Sequence, residues 1–358
     1  MGRPCGDTVS DTMTALIDRR RFLLSVPALA LAPKAFAQPR AAAPLVITAF
    51  NHVSLNVTDL KRSIDFYQGL FGMPVQSRQG AASVQLRIGA GPQFLNLAGG
   101  ASAAGIDHMC VGVENFNVDR VLKVLADHGV ARSDQRGPMK VQVSLRKPDE
   151  GGAKDGTPEV HVGDPDGIDM QLQDKSYCGG GGALGNVCLA VEPSPKKGLI
   201  ALKAFSHCTV FATDAQRSNA FYRELFGIGY RSYQGPTAPT LAIGPGVEFL
   251  MFAGGGAGRG GAGAPRAASI NHFCMNLEHF DVDHILKTLE RYAVKPREGQ
   301  TGPVGPMRSY VSMRMENRGG AKEGTPELYF TDPDGILVQL QDASYCGGAG
   351  VLGNDCRS

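Results

Sequence analysis

The sequence predicts an α+β protein made of two tandem copies of one unit, each copy a pair of βαβββ modules. Three observations carry that prediction. The stretch DPDGIDMQLQDKSYCGG at 164–180 returns as DPDGILVQLQDASYCGG at 332–348. The repetition extends over both copies: Phe50-Asn51-His52 meets Phe205-Ser206-His207 at an offset of 155 residues, Ile106-Asp107-His108 meets Ile270-Asn271-His272 at 164, and the offset is 168 from Pro138 onward. Two long units of this kind exclude a solenoid of many short repeats. Within each unit, strand alternation and helical periodicity follow one another in the same order twice.

Taken in order through the first copy, residues 52–57 alternate as a strand. Asp59 is placed to cap a helix that runs through Ile64, Phe66, Tyr67 and Leu70 and stops at Gly72. Short strands follow at 84–88 and 93–97. The cycle then restarts with a strand at 108–113, a helix at 118–128 ending at Gly129, and strands at 141–146, 159–162 and 168–172. The Asp-Pro-Asp-Gly turn before the last strand is a hairpin signal, because proline presets one turn position and glycine accepts a positive φ at another. The two copies occupy 46–188 and 201–356, joined by a polar, proline-containing linker at 189–200.

A chain of 358 residues with 42% hydrophobic and 20% charged residues has ample material for a core, and a net charge of +2 gives no electrostatic case for nucleic acid or an anionic membrane surface. Residues 1–37 read as an export signal: Arg19-Arg20-Arg21-Phe22-Leu23, a short apolar run to Ala32, and Ala35-Phe36-Ala37 before Gln38. The paired arginines followed by Phe-Leu resemble a twin-arginine signal, and the apolar run is far shorter than the ~20 residues of a membrane span. The expected location is therefore periplasmic or secreted. Cys178 and Cys188, and Cys346 and Cys356, close the two copies at the same separation of ten residues, which reads as one local disulfide per copy in an oxidising compartment.

Four features in order, present twice, carry a resemblance. They are a His in the first strand (His52, His207), the F-Y-x-x-L-F-G helix end, a His in the fifth strand (His108, His272), and D-P-D-G before the eighth. Together they resemble the vicinal oxygen chelate superfamily, which includes glyoxalases, bleomycin-resistance proteins and extradiol dioxygenases. The resemblance implies that each copy curls into a half-barrel cup and that the first, fifth and eighth strands offer metal ligands into it. The matching positions are His52, His108 and Gln171 in the first copy and His207, His272 and Gln339 in the second. One divalent ion per copy at most is implied, Fe, Mn, Ni or Zn. Most relatives carry Glu where Gln171 and Gln339 stand. A neutral amide oxygen keeps a donor and removes its charge, which disfavours the 2-His-1-carboxylate iron chemistry.

Other family parts differ as well. Tyr329 matches the active-site Tyr of extradiol enzymes, but the first copy has His161 there. The His expected nine residues earlier is Gly152 or Gly320. The acidic strand-four ligand of glyoxalase I falls at Asn96 and Met251, with Gln93 and Glu248 one pleat away. Several further residues are candidates for the cup. His161 and Tyr329 could act in catalysis, and Glu159 and Glu327 could supply a carboxylate. Cys110 and Cys274, two positions beyond their His, share its strand face and could be pocket wall, soft-metal ligand or reactive thiol. Ser144 with Arg146, and Ser312 with Arg314, could bind an anionic or carbonyl-bearing substrate.

Two functions follow. The first is an exported metal-dependent enzyme acting on a small oxygen-chelating substrate, of lyase, isomerase or dioxygenase type. The second is a binding or sequestration protein of the bleomycin-resistance type, with apolar or aromatic cup walls and no turnover. Either would take a small molecule as partner, without nucleic acid or a membrane span, and the tandem fits a monomer with an internal pseudo-dimer.

Overall fold

The structure, a computed structural model, describes residues 45–254, 267–299 and 304–356. The expected export signal at 1–37 lies outside the described residues. The first copy runs β1 (Ile47–Asn56), α1 (Leu60–Phe71), β2 (Val75–Gln79), β3 (Ser83–Arg87), β4 (Phe94–Ala98), β5 (Gly105–Val113), α2 (Val118–Asp127), β6 (Ala131–Arg132), β7 (Lys140–Arg146), β8 (Thr157–Gly163) and β9 (Asp169–Asp174). The second repeats this order as β10 (Leu202–Ala212), α3 (Ala215–Phe226), β11 (Tyr230–Tyr233), β12 (Pro239–Ala242), β13 (Phe249–Gly254), β14 (Ser269–Leu277), α4 (Val282–Arg291), β15 (Lys295–Pro296), β16 (Arg308–Arg314), β17 (Thr325–Thr331) and β18 (Leu337–Asp342). Each copy forms one nine-stranded sheet, ordered β2-β3-β4-β1-β5-β9-β8-β7-β6 in the first and β11-β12-β13-β10-β14-β18-β17-β16-β15 in the second. The expected eighth strand is therefore β9, because the two-residue β6 intervenes.

Sheet order explains why residues far apart in sequence share one cup. β1 pairs antiparallel with β5, and β5 pairs parallel with β9. In register, His52 lies across from Cys110, Cys110 across from Gln171, and His108 across from Ser54. The helices close as their sequences direct. Asp59 accepts from the Arg62 N–H at the start of α1, and Gly72 ends it at φ 67°, a left-handed position that glycine takes without steric cost. In the Asp-Pro-Asp-Gly turn, Asp164 Oδ1 accepts from the backbone of Asp166 and Ile168, which fixes the approach to β9.

The two copies share one interface with near two-fold symmetry. Phe50 and Phe205, equivalent residues, meet at 4.9 Å between ring centroids. Beside them, Gln93 and Glu248, also equivalent, face each other. Glu248 accepts from the Phe50 N–H (2.6 Å) and from Gln93 Nε2 (2.8 Å), while Gln93 Oε1 accepts from the Phe205 N–H (2.8 Å). Farther out, each copy's first helix binds the turn before the other copy's last strand. Thr58 and Arg62 hold Asp334, and Thr213 and Arg217 hold Asp166. The Tyr67 hydroxyl donates to Asp332 at 3.1 Å. The linker is also engaged: Glu192 pairs with Arg78 at 2.7 Å, and the Leu199 N–H donates to Leu70 O at 2.8 Å.

The two disulfides form as the spacing predicts, with Cα separations of 6.3 Å for Cys178–Cys188 and 6.2 Å for Cys346–Cys356. Each tail is further fastened by a buried arginine. Arg146 donates to Gly180 O at 2.8 Å, and Arg314 to Gly348 O at 2.9 Å.

Candidate metal centre

In the first cup the structure brings His52, His108 and Gln171 together. His52 Nε2 lies 3.3 Å from His108 Nε2, which lies 3.0 Å from Gln171 Oε1. All three side chains are buried. The orientation of each ring is set by the residue before it. Asn51 donates from Nδ2 to Tyr177 O at 2.7 Å, which turns its Oδ1 toward His52 Nδ1 at 2.8 Å. Asp107 Oδ2 lies 2.6 Å from His108 Nδ1. Both partners accept, so both Nδ1 atoms carry the proton and both Nε2 atoms present lone pairs. Gln171 Oε1 adds a third acceptor to the same point. Three lone pairs with no donor between them are electrostatically unfavourable unless a cation or proton sits among them. The donor set, two imidazoles and an amide oxygen with oriented outer partners, fits a divalent transition metal.

Ionisation agrees with that role. Burial, then the neighbouring His108 and His161, holds the His52 pKa well below its ordinary value, so the ring is neutral and able to coordinate. Burial alone would raise the Asp107 carboxyl, but the hydrogen bond from His108 Nδ1–H and the Arg136 guanidinium hold it below the ordinary carboxylate range.

His161 also reaches this cup, with its ring 4.9 Å from that of His108 between centroids. Its Nδ1 bonds Asp169 Oδ2 at 2.9 Å, and Arg136 joins Asp169 at 2.8 Å and Asp107 at 3.0 Å. Ligand atoms of His108, His161 and Asp169 all lie within 4.8 Å of one another. The cup encloses about 110 Å³, and its lining is polar apart from Phe94 and Tyr177.

The second cup is poorer. His207 Nε2 lies 3.0 Å from Gln339 Oε1, and His207 Nδ1 lies 3.1 Å from the Ser206 hydroxyl. That hydroxyl can donate as well as accept, so His207 can carry its proton on Nε2 and bond Gln339 directly. His272 Nδ1 meets Asn271 Oδ1 at 2.8 Å, while its Nε2 is buried without a partner. Burial lowers the His272 pKa to about 4. Tyr329 faces His272, and burial, then Glu327, holds its phenol well above the ordinary value, hence neutral.

Several expected residues do other work. Glu159, expected as a carboxylate for the cup, does line it but is bound by Arg146 (2.9 Å) and accepts from the Tyr177 hydroxyl, and Glu327 is bound in the same way by Arg314 (2.7 Å) and the Tyr345 hydroxyl. Arg146 and Arg314, expected to bind substrate, are buried and donate to those glutamates and to the disulfide-tied tails, although Arg146 Nη1 is left without a partner. Ser144 is exposed and Ser312 half-buried, and neither joins the arginine on its strand in the cup. Cys110 and Cys274 are buried, and burial raises both thiols well above their ordinary pKa, so neither is a thiolate nucleophile. Glu248, seen in sequence as one pleat away from a ligand position, belongs to the interface between copies.

Sequence reasoning missed Asp169, Asp107, Asn51 and Arg136. Asp169 was detectable as the residue two before Gln171, hence on the same strand face. A second signal lies in the copies themselves, where the pair His161 and Asp169 is replaced jointly by Tyr329 and Leu337.

The family model for the Glyoxalase/Bleomycin resistance protein/Dioxygenase superfamily matches residues 49–172 and 204–340, most of both copies. The chain belongs to this superfamily. Among solved structures, those with similar folds include a catechol 2,3-dioxygenase (16% identity, TM-score 0.52, covering 86% of this chain and 89% of that one). An Mn(II)-bound glyoxalase from Novosphingobium aromaticivorans is similar at 15% identity and TM-score 0.52, over 83% and 82% of the two chains. An extradiol ring-cleaving dioxygenase from B.fuscum reaches TM-score 0.55 at 16% identity, over 89% and 77%. Comparison with curated proteins finds no match. Among the described residues no helix is long and apolar enough to cross a membrane.

Proposed function

We propose that this superfamily member is an exported, metal-dependent enzyme whose first cup binds a small substrate through adjacent oxygens. The carrying observation is the convergence of His52 Nε2, His108 Nε2 and Gln171 Oε1, with Asn51 and Asp107 fixing the Nδ1 protons. A bound divalent ion would supply Lewis-acid polarisation of a substrate oxygen. The chain's own residues do the rest. Asn51 and Asp107 keep the rings aimed, Gln171 donates without adding charge, and Phe94 stacked on His52 at 4.4 Å between centroids restricts water on one side. Because the three donors are neutral, lyase or isomerase chemistry is the preferred type over O₂ chemistry. The lining, polar apart from Phe94 and Tyr177, is why the enzyme is preferred to a sequestration protein, which calls for apolar or aromatic walls. Export is supported by the signal-like sequence at 1–37 and by the two disulfides.

The test is metal analysis of the mature protein after anaerobic reconstitution, with His52→Ala alongside, followed by screening of vicinal diols and α-keto compounds. Bound transition metal in the wild type that His52→Ala loses supports the reading. A wild type that takes up none refutes it.

A further inference from the structure

The two cups are not chemically equivalent, and the difference is concentrated at one place. In the first cup a third imidazole, His161, repeats the arrangement of the other two: its Nδ1 faces an oxygen acceptor, here Asp169 Oδ2 at 2.9 Å. A carboxylate only accepts, so Nδ1 holds the proton and Nε2 presents a lone pair. No described protein group is hydrogen-bonded to that Nε2, although the residue is buried among the lining of the cup. The other Asp169 oxygen is buried without a partner as well. Three histidines in one cup thus share one tautomer, imposed by Asn51, Asp107 and Asp169. In the second cup the third imidazole is replaced by Tyr329, its acidic partner by Leu337, and Asp107 by Asn271. The Tyr329 hydroxyl turns to Glu327 at 3.4 Å.

We infer that the first cup is a three-histidine metal site built on His108, with His52 (3.3 Å between Nε2 atoms) and His161 (4.9 Å between ring centroids) beside it and Gln171 as an oxygen donor, the outer rings drawing together on the ion as it binds, and that the second cup holds no ion under the conditions that fill the first. This rests on the metal-holding reading of the first cup and goes further by naming a fourth donor and a division between the copies. Asp107 and Asp169 supply the negative charge that the neutral donors lack, placed behind the ion's imidazole ligands and bridged by Arg136. The arrangement suits Zn(II) or Co(II), which accept imidazole nitrogen and tolerate four-coordination.

The experiment titrates the metal-free full-length mature protein with Co(II) and with Zn(II), reading bound ions per chain and the visible Co(II) spectrum. The wild type should bind one ion per chain. His161→Ala should weaken binding roughly tenfold or more and change the Co(II) spectrum, while His207→Ala should leave stoichiometry and spectrum unchanged. Tyr329→His with Leu337→Asp should raise the stoichiometry from one to two. Unchanged affinity and spectrum in His161→Ala, or two ions in the wild type, would overturn the inference while leaving the metal-dependent reading intact. A wild type that binds no ion would refute both. If His161→Ala fails to fold, His161→Tyr, which carries the residue of the second copy, decides: unchanged affinity and Co(II) spectrum in that variant refute the role of His161.

Discussion

Glu248 offers a direct test of how the copies are joined. Its carboxyl sits between them, bonded by the Phe50 N–H and by Gln93, and burial raises its pKa from 4.5 to about 7 despite both hydrogen bonds. In the unfolded chain the group ionises near the ordinary value. Between those two values the folded protein retains a proton that the unfolded chain has released. The folded state therefore binds more protons, and stability falls as pH rises through this window. A tenfold difference in proton affinity between the two states corresponds to about 1.4 kcal/mol. Between pH 5 and 8 this group alone should remove about 2 kcal/mol, after allowance for its partial exposure. Glu248→Gln removes the titration and keeps an oxygen to accept from Phe50, as Gln93 already does for Phe205. Urea unfolding of both proteins across pH 5–8 is the assay. The stability gain of the variant should grow by about 2 kcal/mol between the ends of that range. A gain that is constant with pH, or that shrinks as pH rises, would refute a buried acid with a raised pKa at this interface.

Other consequences are as specific. Asn51→Ala should release the His52 ring and weaken metal binding roughly tenfold, with Asn51→Asp restoring most of it, measured by competition with a chromophoric chelator. Glu327→Gln should destabilise the fold by about 3 kcal/mol, because it leaves the fully buried Arg314 without a counter-charge; denaturant midpoints at constant m-value report it. Reduction of either disulfide should lower stability by about 2.5–3 kcal/mol in the chain-entropy description, read from thermal unfolding with and without reductant. Gly72→Ala should destabilise the first copy, since the position is left-handed and a Cβ would stand 2.3 Å from Lys197 O, and the same unfolding assay detects it.

Much of the fold and of the first cup is legible in sequence because each copy mirrors the other. His52 with His207, His108 with His272, and Gln171 with Gln339 emerge from alignment of the chain with itself, and the register of β1, β5 and β9 brings the first-copy set together. Strand β2 escapes such reading, since Val75-Gln76-Ser77 has little alternation and is stabilised by pairing with β3 and by the linker residue Glu192. The glutamates and arginines of β7, β8, β16 and β17 mislead for a different reason. Alternation reports which face a side chain occupies, but not what else reaches that face. Here the disulfide-tied tails arrive over it and engage Arg146 and Arg314. Asp169 and His161 are hard to see as a pair because their partnership spans two strands and exists in one copy only.

The meeting of one acid with one amide between the copies also governs which halves can pair. Two second copies from separate chains, brought together in the same geometry, would set Glu248 against Glu248, two carboxylates in a half-enclosed site with no side-chain amide to donate. Two first copies would set Gln93 against Gln93, which can bond, since an amide offers both donor and acceptor. A dimer of chains closed by like-with-like pairing would thus have one welcome joint and one repelled. The mixed pair within a single chain avoids that penalty, and one acidic residue, Glu248, biases the tandem away from like-with-like assembly at pH values where it is ionised.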